Sequence, residues 1–130
     1  MLRNLILLVL AMHGVGHVLF LANTWGYWTT ESGRSWLFDN ALGLGRASEG
    51  IVGLLWLIPL AGFLAGAWGL FTQYHGATSL LMVSAAISLV LVVAWWGDLV
   101  PGSTFGALVV DLAVIGLLLA RPELLAAANS

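Results

Sequence analysis

Two histidines set inside an apolar run are the chemically unusual feature of this chain. Residues 5–22 read LILLVLAMHGVGHVLFLA, with His13 and His17 spaced i, i+4. On a helix that spacing puts both imidazoles on one face. Imidazole changes charge near neutral pH and is also a common metal ligand. Two carboxylates stand in comparable settings: Asp111, within an otherwise apolar stretch, and Glu49, near the start of another. A charge at mid-bilayer costs at least about 2.5–3.5 kcal/mol, so such groups face inward and pair. His13, His17, Asp111 and Glu49 are therefore the candidate catalytic residues, suited to acid–base chemistry on a lipid-soluble substrate.

Other chemistry is open to the same residues. His13 and His17 form a candidate metal pair for Zn, Cu or Fe, with carboxylates as further ligands. HGVGH lacks the glutamate of HExxH, so the metalloprotease motif is absent. A haem held by two histidines is disfavoured, because His13 and His17 share a face and cannot flank a ring. His75 lies in a turn expected at the opposite interface. A haem or chlorin on a single histidine would find room beside Gly14 and Gly16. Beyond the metal pair the sequence specifies no cofactor.

These side chains need elements to hold them, and composition says which. The chain is 61% hydrophobic and 8% charged. Soluble domains carry about 25% charged residues, so this apolar surface must face lipid. There is no Lys, and the basic residues are Arg3, Arg34, Arg46 and Arg121. A net charge of -2 argues against nucleic acid as a partner. With no Cys, thiol catalysis, thiolate metal sites and disulfides are excluded.

Four apolar segments of about bilayer-crossing length follow one another: 5–22, 47–71, 77–96 and 104–120. The expected fold is an all-α integral membrane protein, a four-helix transmembrane bundle over residues 1–130 with both termini on one side. No A-x-A cleavage site follows the first segment, so a retained helix is expected rather than a signal peptide. Thr72–Gly76 and the Gly97, Pro101, Gly102 group make short joints, which place the last three helices as antiparallel neighbours. Arg121-Pro122 is expected to end the fourth helix, followed by a loose Ala-rich tail. Gly62 and Gly66 form GxxxG, a close-packing pattern that serves an internal contact or a homodimer face. Pro59 is expected to kink the second helix.

Depth follows from 1.5 Å of rise per helical residue. Counted from the terminal side, His13 and Asp111 both come out roughly 13 Å deep. Ser88 is then roughly 18 Å deep and His17 roughly 20 Å. His13 or His17 paired with Asp111 is the simplest way to lower the burial cost. Two histidines and a carboxylate also exceed what a polar latch between helices requires. Arg46, Glu49 and Asp98 lie nearer the other end, which carries the loop 23–45. Arg46 and Glu49, i, i+3, read equally well as a local ion pair at a helix start.

That loop is long for so small a protein, and residues 35–39, SWLFD, suit a lid lying in the headgroup layer. Trp25, Tyr27, Trp28, Trp36, Trp95 and Trp96 are expected at the loop-side interface, with Trp68, Phe71 and Tyr74 at the other. The basic residues tie at two per side. The termini are expected in the cytoplasm of a bacterial inner membrane.

From Gly45 the chain reads GRASEGIVGLLWLIPLAGFLAGAWGLF, followed by a third apolar helix. This stretch resembles the DoxX-like group of small bacterial four-helix membrane proteins over about residues 45–93. Gly45, Arg46, Glu49 and Gly53 are the matching positions, and the HGVGH helix departs from the group's first helix. The resemblance implies a membrane component of a redox or quinone-linked assembly. The layout also resembles uncharacterised bacterial membrane proteins with an HGxxH first helix. Two function classes follow. In one, a His/Asp/Glu pocket binds a small lipophilic ligand or a metal, or performs acid–base chemistry. In the other, the protein is a non-catalytic accessory subunit bound to a membrane-complex partner, and its polar residues only lock helices.

Overall fold

The computed structural model describes residues 2–27, 34–96, 99 and 101–120, with the side chains of Leu2, Arg46 to Glu49 and Pro101 outside that description. Every regular element among the described residues is helical. They are α1 (Leu2–Thr24), a π-helical turn (Trp36–Ala41), α2 (Arg46–Gly53), a 3-10 turn (Leu54–Trp56), α3 (Leu57–Phe71), α4 (Ala77–Ala94) and α5 (Pro101–Ala120). Four stretches are long and apolar enough to cross a membrane: Arg3–Thr24, Gly50–Phe71, Ala77–Ala94 and Gly102–Ala120. This is the four-helix layout of an integral membrane protein. The expected helix end at Arg121-Pro122, the tail, Trp28 and Asp98 fall outside the described residues.

The element ends have local causes. Past Thr24, Gly26 turns left-handed at φ +77°, Tyr27 N–H donates to the Ala22 carbonyl, and Gly26 N–H donates to that of Asn23. This is a Schellman stop, which satisfies the last carbonyls and carries α1 two residues beyond its expected end. The second span tightens ahead of Pro59, where a kink is expected, and stays helical throughout. Pro59 has no N–H for the Leu55 carbonyl, and its ring crowds that oxygen. The chain tightens into the 3-10 turn Leu54–Trp56, splitting the expected helix 47–71 into α2 and α3. Trp56, in that turn, is fully buried.

α1 packs on α3, α3 on α4 and α4 on α5. Gly62 and Gly66 are used inside the bundle rather than as a dimer face. A Cβ on Gly62 would overlap Ser84 Oγ, and one on Gly66 would stand 2.5 Å from Leu81 Cδ2, both on α4. Arg3 ties the foot of α1 to the end of α3, donating to the Phe71 carbonyl at 3.2 Å.

The interior is layered. Toward the terminal side, Leu10, Phe63, Ala67, Leu70, Leu81 and Leu118 form one apolar cluster. Toward the loop side, Phe20, Trp56, Leu91, Val92, Trp95 and Ala107 form another. Trp95 is therefore core and not an interfacial anchor: it is 1% exposed, packed between Phe38 and Trp56. Trp25, Tyr27, Trp36 and Trp96 are exposed at that end, and Trp68, Phe71 and Tyr74 are exposed at the other.

Candidate functional site

The polar residues of the spans meet between the two apolar clusters. His13 and His17 come from α1, Ser88 from α4 and Asp111 from α5. The shared face of α1 expected from the i, i+4 spacing brings the two rings to 4.9 Å, edge to face. Gly14, lying between them, lets α1 close on α3. A Cβ there would meet Phe63 Cβ at 3.0 Å and the Leu60 carbonyl at 3.3 Å. The space at Gly14 is thus taken by helix packing and does not receive a flat ring; only Gly16 is open.

One chain of hydrogen bonds runs through the four side chains. His13 Nε2 is 2.8 Å from Asp111 Oδ1. Asp111 Oδ2 is 2.5 Å from Ser88 Oγ. Ser88 Oγ is 2.8 Å from His17 Nε2, and His17 Nδ1 is 2.9 Å from the His13 carbonyl. Asp111 is 0% exposed and His17 1%. The His13 side chain keeps 9% of its surface exposed. Aromatic rings enclose the chain: Phe63 lies 4.6 Å from His13 and 5.8 Å from His17, and Trp56 lies 5.7 Å from His17. The equal depths of His13 and Asp111 thus correspond to a contact.

Donor and acceptor types fix where the protons can be. A carbonyl only accepts, so His17 Nδ1 carries a hydrogen, while the proton between His13 Nε2 and Asp111 Oδ1 can sit on either atom. Two arrangements of zero net charge satisfy all four bonds. In the first, Asp111 Oδ2–H donates to Ser88, Ser88 donates to His17 Nε2, and every group is neutral. In the second, each of those two protons has moved one step: Ser88 donates to a carboxylate, and His17 is an imidazolium donating to Ser88. Both hold the same protons and have zero net charge. In both, His13 Nδ1 has no proton. Among the described residues it has no hydrogen-bond partner either.

The remaining candidates lie elsewhere. The backbone of Glu49 is in α2, two turns nearer the loop end than Trp56, and its side chain and that of Arg46 are outside the described residues. His75 is exposed in the turn before α4. Among the described residues no three His, Cys, Asp or Glu side chains are placed to hold a metal ion. Ser88, Trp56 and Phe63 complete the site without having been candidates. For Ser88 the signal was its depth; for the two aromatics no sequence feature separates them from lipid-facing neighbours. The expected lid is a π turn docked on the end of α4. Ser35 Oγ–H donates to the Ala94 carbonyl at 2.5 Å, and Trp36 Nε1–H donates to that of Val93 at 2.6 Å.

No family model, curated protein or solved structure matches this chain.

Proposed function

We propose that the bundle houses an acid–base centre for a lipid-soluble molecule, in which His13 exchanges a proton with that molecule and Asp111, Ser88 and His17 redistribute charge behind it. One observation supports this reading above the others: both oxygens of a fully buried carboxyl group are bonded, one to each histidine branch, with a hydroxyl placed to relay. A latch between α1 and α5 needs His13 and Asp111 alone.

The chemistry balances. A proton leaving the substrate bonds to His13 Nδ1, giving an imidazolium beside a substrate anion. Asp111, bonded to His13 Nε2, lies beneath that imidazolium and is placed to balance its charge. The reverse steps return a proton to the product. Aromatic walls and the absence of bulk water keep these charges close and strong.

The test is histidine-selective 15N NMR of the protein in lipid nanodiscs. Asp111→Asn is expected to move the resonances of both histidines, including those of His17, which it touches only through Ser88. A change confined to His13 would mean a static latch and favour the accessory-subunit reading.

A further inference from the structure

The two histidines are held in different ways. Both nitrogens of His17 are bonded, Nδ1 to the His13 carbonyl and Nε2 to Ser88. Among the described residues His13 is tied at Nε2 alone, to Asp111. A ring held at one atom is free to swing about it, because the torsion that turns an imidazole is broad. Hydrogen bonds therefore account for the orientation of His17 but not for that of His13.

Ring packing supplies what the bonds leave out. His13 stands 4.6 Å from Phe63 at an interplanar angle of 86°, and 4.9 Å from His17 at 83°. Phe63 and His17 are themselves nearly parallel, 5.8 Å apart at 19°. Aromatic pairs lie about 4.5–7 Å apart, so the Phe63 contact is at the close end. A swing of the His13 ring toward α3 meets Phe63, and a swing along α1 meets His17. Phe63 is fixed in turn by its surroundings. It is 0% exposed, and its Cβ lies so close to α1 that a Cβ on Gly14 would stand 3.0 Å from it. Trp56 and Phe20 pack on His17, whereas among the described residues Phe63 alone packs a ring from another helix on both imidazoles.

We propose that Phe63 is the positioning residue of this centre: its ring holds the His13 imidazole square to it, so that Nε2 stays on Asp111 and the other nitrogen keeps one direction. The proposal rests on the acid–base reading and names the residue that preorganises its base. Proton transfer needs the two partners within hydrogen-bond reach, and a misplacement of about 1 Å costs about 100-fold in rate. A base tied at one atom meets that requirement only with a wall beside it.

The test is the mobility of each imidazole, read as the NMR order parameter of its ring C–H bonds in 13C,15N-histidine protein in nanodiscs. In the wild type both rings are expected near the rigid value of about 0.85. Phe63→Leu keeps apolar bulk and removes the ring. It is expected to bring His13 below about 0.6 and to leave His17, bonded at both nitrogens, near its wild-type value. Phe63→Met fills the same space with a flexible chain and carries the same expectation if the leucine variant does not fold. Phe20→Leu is the control for lost aromatic packing. Phe20 is 5% exposed and 5.8 Å from His17, and His13 should stay rigid without it. A His13 ring that stays rigid in a folded Phe63 variant would overturn the proposal. So would a His13 ring already mobile in the wild type, or equal loosening in Phe20→Leu. The response to Asp111→Asn is a separate readout: if both histidines respond to it while His13 is indifferent to Phe63, the acid–base reading stands and the positioning role falls.

Discussion

His17 is joined to Asp111 through Ser88: the imidazole Nε2 is 2.8 Å from the hydroxyl oxygen, which is 2.5 Å from the carboxyl group. Three helices are connected at that point by one oxygen atom. Ser88→Ala removes it and leaves His17 Nε2 and Asp111 Oδ2 unpaired in the buried interior. Loss of about 1–3 kcal/mol of stability is expected, the desolvation cost of buried groups left without partners. Thermal unfolding in nanodiscs measures it. Ser79→Ala, on the exposed start of α4, is the control and should stay within about 0.5 kcal/mol of wild type.

Which parts of this site the sequence shows is a matter of geometry. Helical rise is constant, and the four spans have readable ends, so depths could be counted for His13, Asp111, Ser88 and His17. The tightening of the second span was not readable in the same way. Pro59 signals a disturbance, but whether the chain bends or tightens depends on what Trp56 can pack against. Trp95 shows the deeper reason. In lipid, a core-facing and a lipid-facing apolar side chain have similar surroundings, so hydropathy does not separate them. Trp95 and Trp96 are adjacent in sequence, yet one is buried and the other is 45% exposed. The π turn Trp36–Ala41 carries no periodic signal, and its docking depends on carbonyls freed at the end of α4.

Packing of α3 against α4 gives a second prediction. Gly62→Leu would drive a side chain into Ser84, whose hydroxyl donates to the Leu80 carbonyl at 2.6 Å. Overpacking of this kind costs about 1–3 kcal/mol. Gly16→Ala should be close to neutral, because a Cβ there meets nothing within 4 Å. Thermal melts of the two variants test the contrast. Oligomer size by native mass spectrometry should be unchanged in Gly62→Leu, since this face looks inward.

The arrangement of the spans makes a third prediction, and the Cys-free chain makes it simple to test. Asn40 and Gly102 are exposed at the loop-side end, and Gln73 is exposed in the turn at the other. Cysteines placed one at a time at Asn40 and Gly102 should react with an impermeant maleimide from the same side of sealed vesicles. A cysteine at Gln73 should react only from the opposite side. Labelling of all three from one side would contradict four crossings.

The bond between His13 and Asp111 supports the most discriminating prediction. Breaking a buried pair by removing one partner costs about 3–5 kcal/mol, because the other is left unsatisfied. His13→Leu exposes only Oδ1 of Asp111 to that penalty. Asp111→Leu strands both His13 Nε2 and Ser88 Oγ, so it should be the more damaging of the two. In the double variant the penalty at the His13–Asp111 bond vanishes, because neither polar partner remains, while Ser88 still lacks Asp111 as a partner. Its loss should therefore fall near that of Asp111→Leu and below the sum of the singles, by a coupling of about 0.5–3 kcal/mol. Unfolding of all four proteins in one lipid composition gives the cycle. Strict additivity would mean that the two residues do not hold each other, and the acid–base centre assembled around their bond would fall with it.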